Sequence, residues 1–259
     1  MNPFQVVRDF ERALCDYTGA PYAVTTTSCT MALLLAVAWH LKSEPVRIGP
    51  LPTGMAPERM PSWLTTHHQK TREECQPIEI PKRTYVGVPM SIIHAGAWPE
   101  FRDEVWAGCY QLKPLPVWDS ARWFTAGLYK GAADAIFFSR GNMNELNVVK
   151  LARNCAGQML CVSFHWAKTL GIQQGGAILH DNPEADAWLR RARFDGREAG
   201  VAPKDQKDWQ LGWHAYMSPE TAAAGLVRLS SLPKHNDPLP WGPGTTSDYP
   251  DLSEMDIFR

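Results

Sequence analysis

The chain has 259 residues, 44% of them hydrophobic, and a formal net charge of -1. That is enough apolar material for a sizeable core in one large domain, or in a domain with an appendage. The near-neutral balance gives no electrostatic reason to expect nucleic acid as a partner, and no apolar run is long enough to span a bilayer.

The first stretch, MNPFQVVRDFERAL, lacks the pattern of a secretory signal, and its acidic residues argue against a transit peptide. Six cysteines stand singly, at 15, 29, 75, 109, 155 and 161. None forms C-x-x-C and no His/Cys cluster has zinc spacing, so reduced thiols in a cytoplasmic protein are expected, with no metal. The eleven tryptophans read as core or interface packing.

Val6, Val7, Phe10 and Leu14 recur at helical spacing, and Gly19 is placed to stop the helix they predict. YAVTTT is short and β-branched, a strand. SCTMALLLAVAWHLK predicts a buried helix that starts at Ser28 or Thr30. Residues 43–75 have many prolines and charges and no period, which predicts a surface insertion. IEIPKRTYVGVPMSIIHAG reads as strand, loop and a helix from near Thr84. PLPVWDSA is a strand that ends in an acid, and DAIFFS suggests another strand. QMLCVSF and GGAILHD predict strands on either side of a loop that carries Lys168. Two helices follow: PEADAWLRRARFDG, with Pro183 near its start, and SPETAAAGLVRLSSL, with Ser218 as N-cap. Strands alternating with helices predict an α/β architecture with a mostly parallel sheet. The expected division is a large domain over 1–232 and an extended Pro/Gly-rich tail over 233–259.

Three places in this order carry chemistry. TTSCTMAL puts small hydroxyl residues at a helix N-terminus, where N–H groups and the helix dipole favour an anion, most naturally phosphate. Asp119 in PVWDSAR falls at a strand end, where open α/β sheets place ligands. Lys168 follows SFHWA, and a lysine in a dry pocket can lose its proton and attack a carbonyl. Taken singly, these are equally a common N-cap, a turn aspartate and a solvated lysine. Together they describe the needs of pyridoxal phosphate (PLP): a phosphate cup, a carboxylate for the ring nitrogen and a Schiff-base lysine.

The segments FERALCDYTGAPYAVTTTSCTMAL, IPKRTYVG, PVWDSAR, SFHWAKTLGIQQGGAILHD and GWHAYMSPETAAAGLVRLSSL, in that order, resemble the DegT/StrS-type sugar aminotransferases. The resemblance implies the fold-type-I PLP architecture: three α/β/α layers around a mostly parallel central sheet. It implies a large domain whose small C-terminal companion is largely missing here. It also implies roles for particular residues. Ser28, Cys29 and Thr30 would form the phosphate cup, with Ser163 adding a contact. Tyr85 would stack on the cofactor ring, and Ala121 would lie under it. Asp119 would pair with the ring nitrogen. Arg122 would stand where a Gln or His touches the phenolic oxygen. Lys168 would be the covalent lysine and proton shuttle. His214 would stand where an Asn reaches the phosphate site of a neighbouring subunit, so that a homodimer shares its active sites. The pattern departs from the family at Cys29, Arg122, His214, Tyr216 and QQGG.

The function this implies is transfer of an amino group from glutamate or glutamine to a keto sugar, nucleotide-linked. The departures leave open a PLP enzyme with a nucleotide or amino-acid substrate. A non-catalytic PLP-binding regulatory dimer is the third reading, although such a protein would need neither Lys168 nor Asp119.

Overall fold

The computed structural model describes residues 4–41, 75–130, 136–142, 145–150, 155–239 and 249–259. The expected insertion at 43–75 therefore lies outside the described residues, except for Cys75.

The chain begins with α1 (Gln5–Thr18), whose buried stripe of Val7, Phe10 and Leu14 follows the helical period of the sequence. Gly19 ends it in the left-handed conformation, φ 77°, and its N–H donates to Cys15 O. Strand β1 (Tyr22–Thr26) leads to α2 (Cys29–Leu41), which is apolar nearly all round. A helix of that composition must be covered on most sides, and Ala32 to Ala38 are all buried. There follow β2 (Pro77–Pro81), α3 (Gly87–His94), β3 (Trp98–Arg102), β4 (Tyr110–Leu112) and β5 (Val117–Asp119). Then come β6 (Ile136–Asn142), β7 (Glu145–Lys150), β8 (Met159–Ser163), β9 (Gly176–His180), α4 (Pro183–Ala192) and α5 (Pro219–Ser230).

The main sheet has the order β1-β9-β8-β5-β4, while β2 pairs with β3 and β6 with β7. Two core clusters lie on its opposite faces. Val24, Cys161 and Ile178 point into one, with α2, α3 and α4; their strand neighbours Ala23, Leu160, Val162, Ala177 and Leu179 point into the other, with α1 and α5. Alternate residues of a strand face opposite sides, so β8 and β9 are buried on both faces. The α/β/α layering is the expected one. The sheet, however, is mixed rather than mostly parallel. Only β5 and β8 run parallel in it, whereas β1–β9, β8–β9 and β4–β5 are antiparallel. The connections account for this. No helix separates β8 from β9, and β4 turns into β5 through a short hairpin, so neither link can cross over the sheet as a parallel connection must.

The helix expected from near Thr84 begins at Gly87, and β3 and β4 were not foreseen. Residues 249–259 lie against β2 and β3: Leu252 N–H donates to Lys82 O at 2.9 Å, and the rings of Phe258 and Phe101 meet at 5.6 Å.

Candidate active site

Strand ends and one helix terminus converge on a cavity of about 870 Å³. Ser28, Cys29, Thr30, Tyr85, Asp119, Ala121, Arg122, Ser163 and Lys168 all line it. Of the residues singled out in the sequence, His214 does not. Its side chain is 72% exposed, and Nδ1 lies 3.2 Å from Asp195 Oδ2.

The start of α2 forms one side of the cavity. Ser28 precedes the helix, and its Oγ accepts from Met31 N–H at 3.2 Å, which leaves the earlier amides of the first turn without intrahelical acceptors. Thr26 Oγ1 donates to Ser28 O at 2.9 Å and fixes the entry. Strand β9 passes so close that a Cβ on Gly176 would sit 2.5 Å from Cys29 N. Only glycine lets strand and helix start touch there, and this contact joins the end of the Lys168 loop to the start of α2.

Asp119 ends β5 and is 4% exposed. Its Oδ1 accepts from Ala121 N–H at 2.8 Å, and its Oδ2 accepts from the Tyr110 hydroxyl at 2.8 Å. Tyr110 lies directly opposite Asp119 in the β4–β5 pair, so both side chains leave the same face of the sheet. Thr84 Oγ1 lies 2.6 Å from the Tyr110 hydroxyl oxygen and completes a buried chain of three groups. Burial raises the Asp119 carboxyl above its ordinary value, against the pull of these two donors and of Lys168.

Lys168 lies in the loop between β8 and β9. Its N–H donates to His165 O at 2.8 Å, and Trp166 N–H donates to Gln173 O at 3.1 Å, so the loop is internally bonded. Burial, then the nearby Arg122 guanidinium, lowers the Lys168 amine below the ordinary lysine value, while Asp119 and Cys29 oppose this. A depressed lysine beside a buried carboxyl, facing a helix N-terminus, can hold an anionic carbonyl compound and attack it.

Thr84, Tyr110, Leu239 and Tyr249 complete the surroundings and were not singled out in the sequence. Thr84, Leu239 and Tyr249 line the cavity directly, and Tyr110 reaches it through Asp119. The signal for Tyr110 was the pair CYQL and PVWD around a proline-rich turn, which is a hairpin pattern. Nothing local marks Leu239 or Tyr249, since both lie beyond α5.

Among solved structures, the chain resembles the sugar aminotransferase CalS13 from Micromonospora echinospora, with TM-score 0.55 at 16% identity over 88% of this chain and 61% of that one. It also resembles PseC from Helicobacter pylori, an aminotransferase involved in the biosynthesis of pseudoaminic acid, with TM-score 0.53 at 15% identity over 88% and 58%. NtdA from Bacillus subtilis, solved with bound cofactor PMP, gives TM-score 0.54 at 17% identity over 88% and 48%. These likenesses concern the fold, and the chain spans between 48% and 61% of the length of these three proteins. In sequence, residues 2–46 and 153–238, about half of the chain, match the model of one family. They include the Ser28–Thr30 helix start and the Lys168 loop, and on that match the chain belongs to the DegT/DnrJ/EryC1/StrS aminotransferase family.

Proposed function

We propose that the chain is a PLP-dependent aminotransferase that moves an amino group from glutamate or glutamine to a keto sugar carried on a nucleotide. One observation carries the reading: Lys168, Asp119 and the start of α2 line the same cavity. The residues fit the cofactor. The first turn of α2 contains no acidic side chain, as an anion cup requires. The Asp119 carboxyl is desolvated, and a cationic partner placed against it would favour its ionised form. Ser28, Thr30 and Ser163 would hold the phosphate, Tyr85 and Ala121 would flank the ring, and Asp119 would hold the ring nitrogen.

When bound, PLP supplies an electron sink for the carbon that loses its proton. The chain's own residues supply the rest. Asp119 would hold a positive charge in the cavity with a carboxylate whose two oxygens are kept in place separately, Oδ2 by Tyr110 and Oδ1 by Ala121. The Lys168 amine, lowered from the ordinary lysine value by burial and by Arg122, gives up its proton more readily than a solvated lysine, which suits Nζ to accept and return a proton at the substrate. Arg122 keeps a fixed cation beside it. Tyr85, 56% exposed at the mouth, leaves room for a bulky acceptor. His214 lies outside its own cavity and is exposed, which suits a role in the neighbouring site of a homodimer.

The test is an absorption spectrum of the purified protein with added PLP, before and after glutamate. A band that glutamate bleaches, with borohydride fixing the label on the Lys168 peptide, supports the proposal. A band that glutamate leaves intact points to another substrate, and no band at all refutes the cofactor.

A further inference from the structure

Two pieces of chain beyond α5 meet at Arg122. Leu239 N–H donates to the Arg122 carbonyl at 2.9 Å, and the Tyr249 side chain lines the same cavity as Arg122, near enough for the guanidinium to act on its hydroxyl. Tyr249 is a wall residue of the cavity and packs on the core cluster that holds α2. The anchoring lies just beyond it. Asp251 bridges Lys82 at 3.0 Å and Arg83 at 3.5 Å. Leu252 and Phe258 are buried. About 870 Å³ remains open with Tyr249 in place, so this residue bounds the cavity without filling it.

We propose that segment 249–259 is a built-in wall of the pocket, and that Tyr249 is a positioning residue that fixes the Arg122 guanidinium beside Lys168 and Asp119. An arginine at an open cavity loses side-chain entropy when it is held in one arrangement. A tyrosine hydroxyl on a segment pinned by Asp251 and Leu252 holds it before any ligand arrives, so less ordering is left to the binding step. The fixed cation then meets an anionic oxygen of the ligand. That the ligand is PLP or its adduct rests on the function proposed above; the wall itself does not.

Hydrogen exchange of the free protein and PLP titration by absorbance test the two parts. Wild type, Tyr249→Phe, Tyr249→Ala and Asp251→Asn are compared, with β8 peptides as the control for an intact fold. Slow exchange at Leu252 is expected in wild type. It should speed up in Asp251→Asn, whose altered side chain does not line the cavity. Tyr249→Ala should also speed exchange at Leu239. Tyr249→Phe keeps the ring packing, so exchange should match wild type while PLP affinity falls by about tenfold, the scale of one hydrogen bond to a charged group. Exchange of 249–259 at the rate of an unprotected peptide in wild type would overturn the wall. Unchanged PLP affinity in both Tyr249 variants would overturn the positioning role. If wild type takes up no PLP, the cofactor reading falls, and exchange at Leu239 in Tyr249→Ala alone decides: faster exchange upholds the hold on Arg122, and wild-type exchange removes it.

Discussion

Tyr110→Phe deletes a single oxygen from the buried chain Thr84–Tyr110–Asp119. The ring keeps its edge contact with Trp106, at 4.5 Å between centroids, so the loss is confined to polar groups. Asp119 Oδ2 gives up a donor at 2.8 Å, and the Thr84 hydroxyl gives up a partner at 2.6 Å. A buried group left without its partner costs about 1–3 kcal/mol, and each kcal/mol lowers Tm by on the order of 2–4 °C in a domain of this size. The second effect is electrostatic. Burial already holds the Asp119 carboxyl above its ordinary value, and the Tyr110 bond opposes that. Without the bond the carboxyl rises further, so protonation on lowering the pH sets in earlier. The acid limb of PLP binding should therefore move to higher pH in the variant. Absorbance titrations over a pH series read this directly, with calorimetry for Tm. Thr84→Val leaves the bond to Asp119 in place and should move the limb less, in the same direction. An acid limb that coincides with wild type while Tm falls would refute the reasoning and leave Tyr110 a packing residue.

Asp119→Asn should keep the fold but lose most transamination, because an amide holds a ring nitrogen protonated far less well; each tenfold loss corresponds to ~1.4 kcal/mol of barrier, and a wild-type rate in a standard amino-transfer assay would rule Asp119 out as the ring partner. Mixing inactive Lys168→Ala with inactive His214→Ala should restore up to about half the activity per mixed dimer, since one site would then carry neither lesion. If subunits exchange and no activity returns, His214 does not serve a partner's site. Glu11 is buried among Arg190, at 2.6 Å, and Arg193, at 2.5 Å; against the desolvation that raises it, these two guanidiniums hold its carboxyl down from 4.5 to about 2. Its folded pKa is depressed, so the stability it contributes is complete above about 4.5 and lost as pH falls through about 2. Urea unfolding should show that acid slope in wild type and a flatter one in Glu11→Gln, with a loss at neutral pH of up to about 3 kcal/mol, the low end for a broken buried pair, because Arg190 keeps Asp186 at 2.7 Å and only Arg193 loses its carboxylate.

Much of the site was legible because its residues sit where a local pattern changes. Lys168 follows a fully apolar strand and precedes paired glycines. Asp119 is the first acid after VW. Ser28 and Thr30 open a helix too apolar to be misread. Of the helices with clear stripes or caps, α5 fell within a residue or two of its expected ends, α1 stopped at Gly19 as expected, and α4 started at Pro183 as expected but ended at Ala192, four residues short of Gly196. What stayed hidden depends on strand direction and on distant pairing. Alternation of strands and helices says nothing about whether β8 returns beside itself as β9, and that return made the sheet mixed. Tyr110 matters because of the residue opposite it in another strand, a relation fixed by register rather than by its neighbours KPLP and CYQ. Tyr249 sits in a proline- and aspartate-rich stretch that reads as an extended tail, and the role proposed for it rests on its place in the cavity wall beside Arg122 and on the pairing of Asp251 with Lys82 and Arg83.

The pairing of β1 with β9 also governs when the site can exist during synthesis. Tyr22–Thr26 has β9 as its neighbour in the sheet, so this strand must wait for His180 to leave the ribosome. Glu11 waits longer, until Arg190 and Arg193 emerge. Until then the apolar helix α2 lacks β8 and β9, two of the surfaces that cover it, and a nascent chain arrested before that point would present a sticky, half-built layer to chaperones. Helix α2, made among the first, is thus among the last parts to reach its final contacts.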